Sequence, residues 1–167
     1  KPGPTLIVTA GVDGDEYVGI ETAYALINVF ASGNFSGRLI IIPVLNVSGF
    51  YAECSQNPLD QAFPKYIFPG KADGTPTERL MRWFTDTYIS GMNATCWLDL
   101  HSGNLAEGLN PFVWMHETGV SSLDAITDRV CSELTDITVL HEKSAWGSKQ
   151  KRIAQYNCAY VMPECGG

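Results

Sequence analysis

The sequence predicts an α/β fold, a sheet flanked by helices. Strand-like and helix-like runs alternate along the chain, the arrangement of a sheet with helical connections. Several strand-like runs are continuously apolar, as strands covered on both faces are. The chain has 167 residues and is 45% hydrophobic and 17% charged, enough to bury a core around such a sheet.

The elements follow in order. TLIVTA (5–10) is a short apolar, β-prone run that breaks at Gly11. EYVGIETAYALINVF (16–30) places Ile20, Ala23, Tyr24, Ile27 and Phe30 at helical spacing. GRLIIIPVLN (37–46) is the second strand. Residues 47–75 show no period and are rich in Gly, Pro, Asn and Asp. A loop of that length is uncommon in a compact domain and is usually functional. Its aromatics, Phe50, Tyr51, Phe63, Tyr66 and Phe68, predict that it is ordered and packed. TPTERLMRWFTDTYIS (75–90) opens with Thr75 and Pro76, a cap and first-turn pair, and reads as a helix. CWLDL (96–100) and PFVWMH (111–116) are strands. SSLDAITDRVCSEL (121–134) is a serine-capped helix. ITVLHE (137–142), KQKRIAQY (149–156) and CAYVMPE (158–164) complete the series as strand, short helix and strand. No internal repeat interrupts it, and residues 1–167 read as one core domain.

Composition excludes several functions. The formal charge is −7 and the pI about 4.8, with no stripe of Lys or Arg. This argues against nucleic acid, whose phosphates need cationic partners, and against an anionic membrane surface. No apolar run approaches the ~20 residues of a membrane span; the longest, LIIIPVL (39–45), is interrupted by Pro43. The opening KPGPT carries no signal-peptide pattern. The five cysteines form no C-x-x-C pair, which predicts free thiols in a reducing, cytoplasmic compartment, with one or two disulfides as the alternative.

In α/β sheets ligands bind beyond the carboxyl ends of the strands. Asp13-x-x-Glu16 follows the first strand, Asp99-Leu100-His101 ends the third, and Pro163-Glu164 ends the last. If those strands are parallel neighbours, a histidine and several carboxylates meet on one rim. Two carboxylates and an imidazole suit a divalent metal, and a further carboxylate could act as general base. Plainer readings stand beside this one. Asp13 and Glu16 could be helix-capping acids, His101 a packed histidine, and Glu164 an acid before a Gly-Gly turn. His116 and His141 lie at strand ends with no specific role.

Five blocks, in order, resemble the succinylglutamate desuccinylase/aspartoacylase family of zinc deacylases. TAGVDGDEYVGIE resembles its A-G-x-H-G-x-E-x-x-G block, and IIIPVLNVSGF its P-x-x-N segment. NPLDQAFPKYIFPG resembles P-x-D-x-x-D-L-N-R-x-F-P-G. WLDLHSGNLAEGLNPFV resembles a D-L-H-x-G block, and VMPECGG the P-x-x-T-x-E-x-G-G block. The resemblance implies a three-layer, mixed, mostly parallel sheet of the zinc-carboxypeptidase type. It also implies a core without the family's C-terminal β domain, as part of a longer architecture. By position it implies metal ligands at Asp13, Glu16 and His101 and a general base at Glu164. It sets Asn46, Lys65 and Tyr66 on the substrate side. The implied reaction is attack by metal-activated water on the amide of a small-molecule substrate, an N-acyl amino acid or a relative of one.

The sequence departs from the pattern at three places. Asp13 stands where the family has histidine. A carboxylate there is a legitimate ligand but adds a negative charge, so Mn²⁺ or Fe²⁺ joins Zn²⁺ as a candidate. Lys65-Tyr66 replaces the Asn-Arg pair that grips a substrate carboxylate. No arginine lies between Arg38 and Arg79 to polarise the scissile carbonyl, and losing one such donor typically costs ~10²–10³ in kcat. Three readings follow: an active metal-dependent deacylase, a binding or regulatory module that has lost catalysis, and a metallocarboxypeptidase. The missing Asn-Arg grip for a terminal carboxylate speaks against the third.

Overall fold

The computed structural model describes residues 1–141 and 148–167. Its strands are β1 (Thr5–Thr9), β2 (Arg38–Ile42), β3 (Cys96–Asp99), β4 (Phe112–Met115), β5 (Thr138–His141) and β6 (Ala159–Glu164). They form a six-stranded sheet in the order β2-β1-β3-β6-β4-β5. Each lies within a run expected from the sequence, shorter by one to five residues; Glu142, at the end of the fifth run, lies outside the described residues. β1 pairs in parallel with β2 and β3, and β3 in parallel with β6. β4 pairs in parallel with β5 but antiparallel to β6, so the sheet is mixed and mostly parallel. β1, β3 and β6 are parallel neighbours, and their carboxyl ends share one rim.

The helices are α1 (Tyr17–Phe30), α2 (Val47–Tyr51), α3 (Pro64–Ile67), α4 (Pro76–Phe84), α5 (Ser121–Glu133) and α6 (Ser148–Ala154). Strand residues alternate between the two faces of a sheet, and three clusters record the result. On one face, Val8, Ala10 and Leu100 pack against Ile20 and Ala23 of α1. Beside them, Val113, Ala159 and Val161 pack against Cys131 of α5. On the other face, Ile7, Trp97 and Tyr160 meet Met81 and Phe84 of α4 and Ile153 of α6. The product is three layers, helix, sheet and helix.

Four helices differ from expectation: α2 and α3 form within the segment 47–75 that shows no period, and α4 and α1 depart from their runs. The segment 75–90 is α-helical only through Phe84; Thr85–Ser90 is a π-helix. The Thr85 hydroxyl donates to the carbonyls of Met81 (2.8 Å) and Pro69 (3.1 Å). Such back-bonding competes with the helix ladder and marks where the wider turn begins. In α1, Ile20 and Ala23 are buried, but Tyr24, Ile27 and Phe30 are exposed. Its cover of the sheet is concentrated at Ile20 and Ala23, with Leu26 packed partly against the same cluster. The long segment 47–75 is ordered, as its aromatics predicted. Phe68 is buried against Trp97 and Tyr156, with ring centroids 5.7 and 5.6 Å away, and Phe50 packs edge-on against Tyr17. All five cysteines are free. Among the described residues no helix is long and apolar enough to cross a membrane.

Candidate active site

The loop after β1 carries Asp13 and Glu16 to the shared rim. Gly14 permits this: a Cβ there would lie 2.2 Å from the Gly49 carbonyl carbon, so only glycine lets the loop lie against α2. Asp15 ties the same loop to the long segment by accepting from Ser55 Oγ at 2.7 Å. Glu16 sits at the N-cap of α1, yet its side chain makes no cap hydrogen bond. Its Oε2 accepts from Ser102 N at 3.0 Å and lies 2.9 Å from His101 Nδ1. The capping alternative therefore fails for Glu16. His101 extends β3, and its backbone bridges to β6 beside Glu164.

One donor atom from each of Asp13, Glu16 and His101 lies within 4.8 Å of the other two, and all three residues are buried. Asp13 Oδ1 is buried without a hydrogen-bond partner among the described residues. A bare buried oxygen costs free energy, and beside a second carboxylate and an imidazole it completes a donor set that a divalent cation takes. His101 Nδ1 faces Glu16 and Asp13, while Nε2 lies 3.3 Å from Asp99 Oδ2. Asp99 thus fixes which ring nitrogen faces the cluster.

Asp99 is itself fully buried and densely bonded. Thr9 Oγ1 donates to its Oδ1 at 2.6 Å, and Tyr160 OH and Lys149 Nζ donate to Oδ2 at 2.8 and 3.1 Å. The Trp97 indole N–H donates to Thr9 Oγ1 at 2.7 Å. Lys149 also lies over the rings of Trp97 and Tyr160. Burial alone would raise the Asp99 pKa, but the charges of Lys149 and His101 hold it well below the usual range. Burial pushes Lys149 down against the pull of Asp99.

The cluster is balanced by cations. The Lys65 ammonium, from α3, forms an ion pair with Asp13 Oδ2. Burial raises Asp13 to about 6, opposed by the charges of His101 and Lys65. Burial also acts on Glu16, but its hydrogen bond to His101 wins and holds it below the ordinary value. For His101 burial works against the charged form, and the carboxylates of Asp99 and Glu16 overcome it, so its pKa is raised. Glu164 is raised to about 7, chiefly by burial. It lines a cavity of about 880 Å³ together with Glu16, Lys65, Tyr66, His101 and Ser102. Asp13 does not line it, and neither does Asn46. Asn46 Oδ1 accepts from Gly49 N at 3.0 Å to cap α2, and its Nδ2 donates to Ser55 O at 3.3 Å.

Residues 2–167 match the model of the succinylglutamate desuccinylase/aspartoacylase catalytic domain. The chain belongs to this family. It is 34% identical over 114 residues to the N-alpha-acetyl-L-2,4-diaminobutyric acid deacetylase of Halomonas elongata, a match covering 68% of this chain and 33% of that protein. A succinylglutamate desuccinylase from Silicibacter sp. TM1040 superposes with a TM-score of 0.86 at 27% identity, over 99% of this chain and 50% of that one. The product-bound ectoine utilization protein EutE (DoeB) from Ruegeria pomeroyi gives a TM-score of 0.85 at 28% identity, over 99% and 51%. The chain spans about half the length of these solved relatives and a third of the curated one.

Within this family the points of departure meet in space. Asp13 and Lys65, both unlike the family pattern, are bonded to each other. Sequence reasoning missed the partners of Asp99 and the wall that β4 gives the cavity. The alternation Phe112-x-Trp114-x-His116 signalled one aromatic strand face. Nothing in the sequence set that face beside Glu164.

Proposed function

We propose that this protein is a metal-dependent hydrolase of amide bonds, a deacylase that splits an N-acyl amino acid or a related small amide. One observation carries the reading: two buried carboxylates and an imidazole converge, and two of the three, Glu16 and His101, line a cavity of about 880 Å³ together with Glu164. Relatives named for removing acetyl and succinyl groups support the reaction type. Asp13, Glu16 and His101 Nδ1 would hold one divalent ion, Zn²⁺ first, with Mn²⁺ or Fe²⁺ favoured by the second carboxylate. Bound there, the ion would supply Lewis acidity, lowering the pKa of water and polarising the amide carbonyl.

The chain's own groups do the rest. Glu164 takes a proton from the attacking water and passes it to the leaving nitrogen. A pKa of about 7 suits both halves of that transfer near neutrality. Lys65, paired with Asp13 and lining the cavity with Tyr66, would donate to the substrate's carbonyl or carboxylate oxygen. Asn46 serves the substrate only by bracing the loop. The five free thiols suit a reducing cytoplasm. The test has two parts, metal content of the purified protein and turnover of a panel of N-acyl amino acids with added Zn²⁺, Mn²⁺ or Co²⁺. Less than ~0.1 equivalent of metal, with no gain on soaking, would sink the reading.

A second reading, a binding module without catalysis, is favoured by Lys65, whose ion pair with Asp13 already balances charge in the cluster. Turnover that is lost in Glu164→Gln would rule it out.

A further inference from the structure

The wall that β4 gives the cavity has a character of its own. Val113 and Met115 pack toward α5. Phe112 and Trp114 pair across the sheet with Glu164 and Met162, so they share the face that carries Glu164. Phe112 and Trp114 meet edge-to-face at 5.2 Å, and Trp114 stacks on His116 at 6.1 Å with 12° between the rings. All three line the cavity, as does Met162. The cavity therefore combines the rings of β4 with carboxylates and the cations Lys65, Lys149 and Arg152, and Glu164 pairs across the sheet with Phe112. Gln150 lines it too and keeps a buried amide oxygen with no hydrogen-bond partner among the described residues.

We infer that the leaving amine of the substrate carries an aromatic or large apolar side chain, which lies on the ladder of Phe112, Trp114 and His116. The inference rests on the deacylase reading above and names its substrate class. Water adds to the amide carbonyl, the C–N bond breaks, and a carboxylic acid and an amine are formed with no oxidant or reductant. One proton of the water travels through Glu164 to nitrogen. The nitrogen must therefore stay within hydrogen-bond reach of Glu164, whose cross-strand partner is Phe112. What is attached to nitrogen meets β4, whereas the acyl carbon stays toward Asp13, Glu16 and His101. These rings, edge-to-face at Phe112 and Trp114 and stacked at Trp114 and His116, present offset and edge-on surfaces for another ring. Phe112 and Trp114 offer a small charged side chain little to replace its lost water, although Lys149 and Arg152 also line the cavity.

The experiment compares phenylalanine, alanine and aspartate, as product amines, in calorimetric binding to the zinc-loaded protein. In parallel, kcat/KM is measured for their N-acetyl derivatives. Phenylalanine should bind at least ~10-fold tighter than alanine, and N-acetylphenylalanine should be favoured by ~10–200-fold, the range of hydrophobic-pocket discrimination. Trp114→Ala should bring both ratios close to one, while Trp114→Phe, which keeps a ring, should preserve most of the preference. Thermal melts establish that both variants are folded. Equal binding of the three amino acids, or a preference untouched in Trp114→Ala, would overturn the inference. Hydrolysis of all three derivatives at equal rates would overturn it while leaving the deacylase reading intact. Phenylalanine-selective binding without hydrolysis of any derivative would remove the deacylase reading and leave an aromatic subsite.

Discussion

Glu164→Gln should move activity and stability in opposite directions. Burial raises this carboxyl from 4.5 to about 7 in the metal-free protein. Between those values the native state holds a proton that the unfolded chain has released, so stability falls as pH rises through the window. Below about 4.5 both states are protonated and Glu164 has no effect; above about 7 the full cost of the buried charge is present. The gap corresponds to an upper bound of about 3 kcal/mol, and residual solvent contact reduces it to about 1–2 kcal/mol. Glutamine has the same shape and never ionises. At pH 8, after treatment with chelator, the variant should melt about 2–8 °C higher than the wild type, from the usual scaling for a chain of this size. At pH 4 the two should melt together. Hydrolysis, if Glu164 is the proton carrier, should fall by ~10²–10⁴. Calorimetric scans at the two pH values and a progress curve on the best N-acyl substrate read all three quantities. A variant less stable than the wild type at pH 8, or one equally stabilised at both pH values, refutes burial of the charge as the cause. Retention of wild-type turnover refutes the proton-carrier role.

Lys65→Met should raise zinc affinity by ~10–100-fold in chelator competition, because the ion no longer has to separate a partly buried pair worth about 1–3 kcal/mol; unchanged or weaker binding would count against Lys65 and the metal sharing Asp13. Asp13→His should hold or raise zinc affinity, since imidazole is a ligand of equal standing without the second carboxylate's charge; a clear loss would give Asp13 another job. Thr9→Val should destabilise the fold by about 2–4 kcal/mol, because Asp99 Oδ1 and the Trp97 indole N–H both lose their partner in a site without solvent. A melting temperature unchanged from wild type would refute that account.

Much of the rim was legible in the sequence because its parts are local. Each strand is a short apolar run, and Glu16, His101 and Glu164 come directly after or at the end of one. Parallel pairing of β1, β3 and β6 then brings them together with no further information. The helix-free connection of residues 100–111 pointed to the reversed direction of β4, but nothing local showed that its neighbour would be β6. Hence an aromatic strand face was visible while its neighbour, Glu164, was not. Asp99 shows the same limit from another side. Its partners Thr9, Lys149 and Tyr160 are 90, 50 and 61 residues away, and no local pattern connects them. The sequence also presented Asp13 and Lys65 as two separate departures from the family, 52 residues apart. In the fold they are one. A carboxylate in place of a neutral imidazole adds a buried negative charge, which must be paired to be tolerated, and the lysine supplies the matching cation. The two positions are then energetically coupled. Lys65→Met should raise zinc affinity in the wild-type background and should have little effect once Asp13 is His, because the pair it would break is already gone. Equal effects in both backgrounds would mean that the lysine acts on the whole cluster rather than on Asp13.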